Sequence, residues 1–212
     1  DEIIILSIDR SKNKLGPDKE LLKSINEINL STPLAFGGGI NTLEDAKYVI
    51  CNGAERIILD SLIKNSCERT INEISSKLGA QALIGSLPVF LKNNQLNFYD
   101  YKNHLIKKES SFIYKLFKNL ILSEAFIVDF KNDGIKNGFN MDIISHCSEI
   151  KTSLIVFGGI SEFVQVNELL KYQQISAVAI GNFLNFKENS IQFYKENLDS
   201  NYLRNSQYSN YI

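Results

Sequence analysis

Two stretches of this chain, 34-LAFGGGINTLEDAKYVICNGAERIILDS-61 and 155-IVFGGISEFVQVNELLKYQQISAVAIGN-182, align on each other without a gap. Phe36 falls on Phe157, Gly37-Gly38 on Gly158-Gly159, and Asp60-Ser61 on Gly181-Asn182. Each copy reads as an apolar strand, a glycine turn, an amphipathic helix and a second strand. Any two βα units share some likeness. Two copies in matching positions of one chain point further, to a barrel built of two similar halves.

The same alternation runs outward from the repeat in both directions. Short apolar runs at 3–8, 33–36, 56–59, 82–87, 125–130, 154–157 and 176–180 read as strands. Helical patterns fall between them near 18–28, 42–52, 66–78, 109–122, 141–149, 161–172 and 188–197. Near-continuous apolar strands that alternate with helices imply parallel βαβ units with both sheet faces buried. Residues 89–106 break the rhythm and read as a hairpin turning at Asn93-Asn94, inserted after the fourth strand. The predicted architecture is α/β, a (β/α)8 TIM-barrel type. Seven strands are counted where such a barrel has eight, and the chain begins without Met in a strand already under way. The first strand and helix are therefore expected to be missing. One domain is expected over 1–198, followed by a polar, tyrosine-dotted tail over 199–212.

Composition narrows the function classes. The chain has 212 residues, 44% of them hydrophobic and 22% charged, which suits a globular domain with a sizeable core. A net charge of −1 gives no reason to expect nucleic acid or an anionic membrane as partner. No apolar stretch approaches the roughly 20 residues of a membrane helix, and acidic Asp1 and Glu2 do not open a signal peptide. Cys51, Cys67 and Cys147 are odd in number and form no CxxC pair, so reduced thiols and a cytoplasmic setting are expected. With His104 and His146 as the only histidines, neither a histidine-based metal site nor a Ser-His-Asp triad on Ser7, Ser61 or Ser86 finds support.

Function in such barrels sits at the C-terminal ends of the strands, with phosphate often held after the last two. Glycines there let backbone N–H groups approach an anion. Gly158-Gly159 and Gly181-Asn182 end the last two strands, and Gly37-Gly38-Gly39 with Asp60-Ser61 end their repeat mates. Two cradles facing each other across the mouth suit a substrate phosphorylated at both ends. The plainer reading makes the glycines tight strand-to-helix turns and nothing more. Asp60 fits its cradle poorly, because a carboxylate repels phosphate unless backbone and Ser61 alone make the contact. Asp129 and Lys131 in 125-AFIVDFKNDGIKNGF-139 stand two apart at a strand end, hence on one face.

The segments PLAFGGGINTLEDAKYVICNGAERIILDS, DGIKNGFNMDII and IVFGGISEF…AVAIGNFLNF resemble the cyclase subunits of imidazole glycerol phosphate synthase, of the histidine-biosynthetic barrel family. The resemblance covers nearly the whole chain, from DEIIILSID to the final helix. It implies a barrel that takes ammonia from a partner glutaminase in a hetero-dimer. Ring closure on a bis-phosphorylated small molecule would then release an aminoimidazole ribonucleotide, with no cofactor and no metal. A similar sister branch serves amidation of sugars in surface-polysaccharide pathways. The resemblance also implies phosphate-binding roles for Gly38, Gly39, Asp60, Ser61, Gly158, Gly159, Gly181 and Asn182. Glu2 and Arg56, just ahead of their strands, match the ammonia gate at the opposite end; solvated charges are equally compatible there.

The acidic positions that the resemblance implies are altered. One lies on the first strand that is expected to be missing. The ends of the second and fifth family strands carry Ser7 and Pro88, and Lys131 stands at the position expected of a catalytic aspartate on the sixth. An ammonium stays protonated near neutral pH unless burial depresses its pKa by several units. Asp129 on the same face would hold the charge, so an Asp129–Lys131 ion pair is expected. Two functions stay open: a divergent cyclase or amidating subunit, and a non-catalytic barrel (or gene fragment) that binds phosphate or docks a glutaminase.

Overall fold

The computed structural model describes residues 2–13, 15–101, 104–108, 111–119, 121–186 and 188–203. Within them lie the strands β1 (Ile3–Leu6), β2 (Leu34–Gly37), β3 (Arg56–Leu59), β4 (Leu83–Lys92), β5 (Gln95–Asp100), β6 (Leu105–Lys108), β7 (Glu124–Asp129), β8 (Ser153–Phe157) and β9 (Ile175–Val178). The helices are α1 (Ile8–Lys12), α2 (Lys19–Ile28), α3 (Leu43–Cys51), α4 (Ser61–Lys64), α5 (Glu68–Leu78), α6 (Ser111–Lys118), α7 (Asp142–His146), α8 (Phe163–Leu170) and α9 (Ser190–Asn197). Seven strands form one parallel sheet in the order β1-β2-β3-β4-β7-β8-β9. This is the α/β barrel-type fold read from the sequence. Among the described residues the path ends at β1 and β9, which are not hydrogen-bonded to each other. Most of the expected tail lies beyond Leu203, outside the described residues.

The strands read as continuous apolar runs because each face meets a different core. Ala35, Ile58, Ile84, Phe126, Val128 and Ile155 pack together on one face, joined by Ile4, Phe157, Ala177 and Ala179. Their chain neighbours Leu34, Phe36, Ile57, Leu59, Ala125, Ile127, Leu154 and Val156 belong to the larger core shared with the helices. The two-residue period of a strand makes this division. The smaller cluster fills the concave face, where the rings of Phe126 and Phe157 stack at 5.8 Å. The helices bury matching pairs three residues apart: Leu22 and Ile25 on α2, Ile71 and Ile74 on α5, Val166 and Leu169 on α8. The start of α3 is closed by a capping box in which Thr42 Oγ1 accepts from Asp45 N–H at 3.1 Å and Asp45 accepts from Thr42 N–H at 3.0 Å.

The predicted hairpin is present and longer than expected. Asn93 and Asn94 have φ of 52° and 56°, the left-handed pair that a two-residue hairpin turn needs. β4 pairs with β5 from Val89 to Lys92, and β5 pairs in turn with β6, making a three-stranded arm. Pro88 is tolerated in β4 because pairing with β3 stops at Gly85, and the missing N–H falls where β4 changes neighbours. No helix among the described residues is long and apolar enough to cross a membrane.

Candidate functional site

The C-terminal strand ends hold the two glycine turns, and their geometry corrects the repeat by one residue. Gly38 and Gly158 have φ of 110° and 104°; Gly39 and Gly159 have 75° and 73°. A Cβ on Gly38 would lie 2.2 Å from the Ser7 carbonyl oxygen, and one on Gly158 would lie 2.5 Å from that of Asp129. The structural mates are therefore Gly38 with Gly158 and Gly39 with Gly159. Gly37, matched to Gly158 by the ungapped alignment, instead continues β2 as Phe157 continues β8. Ser7 in the first half occupies the place of Asp129 in the second.

The second half forms the more open cradle. Gly159 packs under the 132–139 loop, and its carbonyl accepts from Gly138 N–H at 2.9 Å. Gly181 and Asn182 lead into a short 3-10 turn over Asn182–Phe186. Gly134 faces Asn182, with 3.9 Å from its would-be Cβ to Nδ2. Asp133 stands immediately before Gly134 and stays accessible to solvent. Partial burial raises its carboxyl above the ordinary value, helped by the negative charge of Asp129 and opposed by a backbone hydrogen bond from Gly134.

In the first half the Gly39 N–H donates to Ser11 Oγ at 3.1 Å. Ser61 is buried, and Asp60 is clasped by Lys64, whose Nζ lies 2.6 and 2.8 Å from its two carboxylate oxygens. Burial raises the Asp60 pKa most; Lys64 and the Ser86 hydroxyl oppose the shift, and the like charge of Asp100 adds to it. Lys64 also lies 4.7 Å from the Tyr101 ring centre. Beneath the hairpin arm a cavity of about 50 Å³ is lined by Lys64, Ser86, Leu87, Pro88, Tyr99 and Asp100, enough for a few waters.

The expected Asp129–Lys131 ion pair is not formed. β7 ends at Asp129 and the chain turns at once, with Asn132 N–H donating to the Asp129 carbonyl at 3.2 Å, so the alternation of a strand stops applying. Asp129 is buried and accepts from Asn132 Nδ2 at 2.7 Å and from Asn140 N–H at 3.0 Å, fastening the loop that carries Asp133. Lys131 is exposed, with Nζ 4.3 Å from the Phe90 ring centre. Beside it Tyr99 stacks on Phe130 at 4.2 Å, with Tyr101 edge-on to both, so the hairpin arm docks on the mouth through aromatic rings.

At the opposite end Glu2 and Arg56 do meet. Arg56 Nε donates to Glu2 at 2.8 Å, and its two terminal nitrogens bond Glu2 and Glu124. Ser176 Oγ donates to Glu124 at 2.6 Å. Glu2, Arg56 and Glu124 share strand parity with Ile4, Ile58 and Phe126, so they belong to the concave face. With Ser176 they form one layer drawn from alternate members of the sheet, β1, β3, β7 and β9. Burial works against the Arg56 charge, but the hydrogen bonds to Glu2 and Glu124 outweigh it and hold the guanidinium above its ordinary value. Arg56→Met would leave two partly buried carboxylates without their cation. The expected loss is about 2–4 kcal/mol, read as a fall in the thermal midpoint on the order of 10 °C.

The sequence reading missed Glu124, Ser176 and Asp133. Glu124 gave a faint signal as an acid directly ahead of an apolar run, as Glu2 is. Among the described residues no group of three or more His, Cys, Asp or Glu side chains is arranged to hold a metal ion.

A curled parallel sheet with glycine turns after its strands and a charged layer where the strands begin defines a chain of the (β/α)-barrel type. The chain belongs to the histidine biosynthesis protein family, whose model matches residues 1–190. It is 29% identical over 200 residues to a putative imidazole glycerol phosphate synthase subunit hisF2 of Parasynechococcus marenigrum, covering 92% of this chain and 73% of the relative. It is 26% identical over 227 residues to the imidazole glycerol phosphate synthase subunit HisF of Methanococcus vannielii (95% and 82% covered). The corresponding figures for HisF of Flavobacterium johnsoniae are 23% over 216 residues (95% and 80%).

Proposed function

We propose that this chain is the synthase barrel of a HisF-like pair, taking a phosphorylated small molecule at the glycine mouth and ammonia from a glutaminase at the Arg56 end. The observation that supports the reading is that a charged layer and a set of glycine turns stand at opposite ends of one sheet. Glu2, Arg56 and Glu124 form a polar layer where the strands begin. Gly158-Gly159 and Gly181-Asn182 offer small, close-approach backbone where the strands end. Asp133 stands beside that cradle, accessible and with a raised pKa, as a general acid–base group requires. In this reading the cradle fixes the phosphate, Asp133 moves the proton at the reacting centre, and Asp129 positions the Asp133 loop from below.

A non-catalytic barrel is favoured only by the residues at the altered acidic positions, Ser7, Pro88 and Lys131. Turnover separates the two. The purified chain is given ammonium chloride in place of a glutaminase, with the family's bis-phosphorylated substrate and its mono-phosphorylated counterpart. Ammonium-dependent product from either substrate is expected. No product from both, with phosphate binding intact, would leave the binding module.

A further inference from the structure

We infer that Asp60 is a specificity-determining residue: it keeps a second phosphate out of the Gly38–Ser61 end, so the substrate carries its one phosphate at the Gly158–Asn182 end. The inference rests on the reading of the mouth as a phosphate site and deepens it by naming the substrate class.

The two half-sites can be compared atom for atom because the glycine geometry aligns them. Gly39 and Gly159 have the same φ within 2° and both press against a neighbouring loop, Gly39 on Gly16 and Gly159 on Asn132 and Phe139. Their amides differ. The Gly39 N–H is already given to Ser11 Oγ, whereas the Gly159 N–H meets no protein acceptor among the described residues. At the second strand end the contrast is one of charge. The strand registers, Ala35 on Arg56 and Ile155 on Ala177, make Asp60 the mate of Gly181, so a carboxylate stands where the other half has no side chain. The Asp60 carboxylate accepts from the Ser86 hydroxyl, and Ser86, two residues after Ile84 within β4, shares the concave face, where a substrate group would arrive.

The cation beside Asp60 does not reverse this. Lys64 holds both oxygens of Asp60 and lies against the Tyr101 ring. Its charge is thereby matched before any ligand arrives. Behind it the buried Asp100 adds a second negative charge. A phosphate entering here would have to displace a hydroxyl from Gly39, break the Asp60–Lys64 pair and approach two carboxylates. A neutral hydroxyl-bearing end meets none of these obstacles. The same face therefore selects mono-phosphorylated substrates.

Calorimetric titration with inorganic phosphate, ribose 5-phosphate and ribulose 1,5-bisphosphate tests the inference. The wild-type chain should take up one inorganic phosphate and bind the bisphosphate no more tightly than the monophosphate. Asp60→Asn, nearly isosteric, should take up two and gain at least tenfold in preference for the bisphosphate; Ser11→Ala in addition should strengthen the second phosphate. Asp60→Gly, which copies the other half, should behave as Asp60→Asn and serves if that variant folds poorly. Two phosphates on the wild-type chain, or one on both variants, would overturn the role of Asp60 while leaving the function standing. No phosphate on any form would remove the phosphate reading itself, and the inference with it.

Discussion

Asp133→Asn should lower ammonium-dependent turnover by about 10²–10⁴-fold, the range expected when a general acid–base group is removed. Phosphate binding and the thermal midpoint should change little, because Asp133 is accessible and supports no other side chain that the structure shows. Asp129→Asn should lower the thermal midpoint as well as turnover. Asp129 is buried and accepts from two donors, so losing the charge weakens bonds worth about 1.5–3 kcal/mol together with the loop they fasten. The pH profile supplies an independent check. Partial burial and the charge of Asp129 raise the Asp133 pKa, so the proton leaves at higher pH than from an ordinary aspartate. If Asp133 acts as a base, activity rises with pH through that raised value. Asp129→Asn removes the neighbouring charge and should shift this limb toward lower pH. An unchanged profile in Asp129→Asn, or full activity in Asp133→Asn, would assign the proton transfer elsewhere.

Gly158→Ala should be strongly destabilising, and Gly38→Ala, whose added carbon would lie 2.2 Å from the Ser7 carbonyl oxygen, at least as much. On Gly158 the added carbon would lie 2.5 Å from the Asp129 carbonyl oxygen and 3.1 Å from two more of its backbone atoms, at a φ of 104°. Backbone cannot swing aside as a side chain can. Strained φ and overpacking each cost on the order of 1–3 kcal/mol, so a loss of about 3–5 kcal/mol is expected in a denaturant titration. Gly16→Ala is the control. Its nearest neighbour would be Asp45 Oδ1 at 3.5 Å and its φ lies outside the left-handed region, so the change should be near neutral. Equal midpoints for Gly158→Ala and Gly16→Ala would mean that the β7–β8 crossing is looser than its contacts imply.

The seven parallel strands were legible because each is apolar on both faces, and only a doubly covered sheet asks for that. The hairpin was legible from Asn93-Asn94, since few side chains accept two successive left-handed positions. The candidate site was legible only where chemistry and chain position coincide, as at the glycine turns. Three glycines in a row made the repeat ambiguous by one residue, and only the backbone angles separate Gly37 from Gly38. Lys131 was assigned to the face of Asp129 by a rule that holds inside a strand, and the strand stops one residue after Val128. Glu124 and Arg56 are far apart in sequence; only the curvature of the sheet brings an acid on β7 to a cation on β3. The raised pKa of Asp133 likewise comes first from its partial burial and then from the charge of Asp129 beneath its loop, relations that no local pattern records.

The layer of Glu2, Arg56, Glu124 and Ser176 has a mechanical consequence. Its members sit on the first, third, fifth and last strands of an arc whose two ends share no hydrogen bonds among the described residues. Backbone ladders fix each strand to the next but leave the arc free to open like a fan. Side-chain bonds that skip over a strand shorten the inside of the curve and act as a chord across it. Arg56, holding an acid on either hand, is the knot in that chord. Cutting it should relax the bend of the sheet, and the glycine turns at the far rim should spread apart with it.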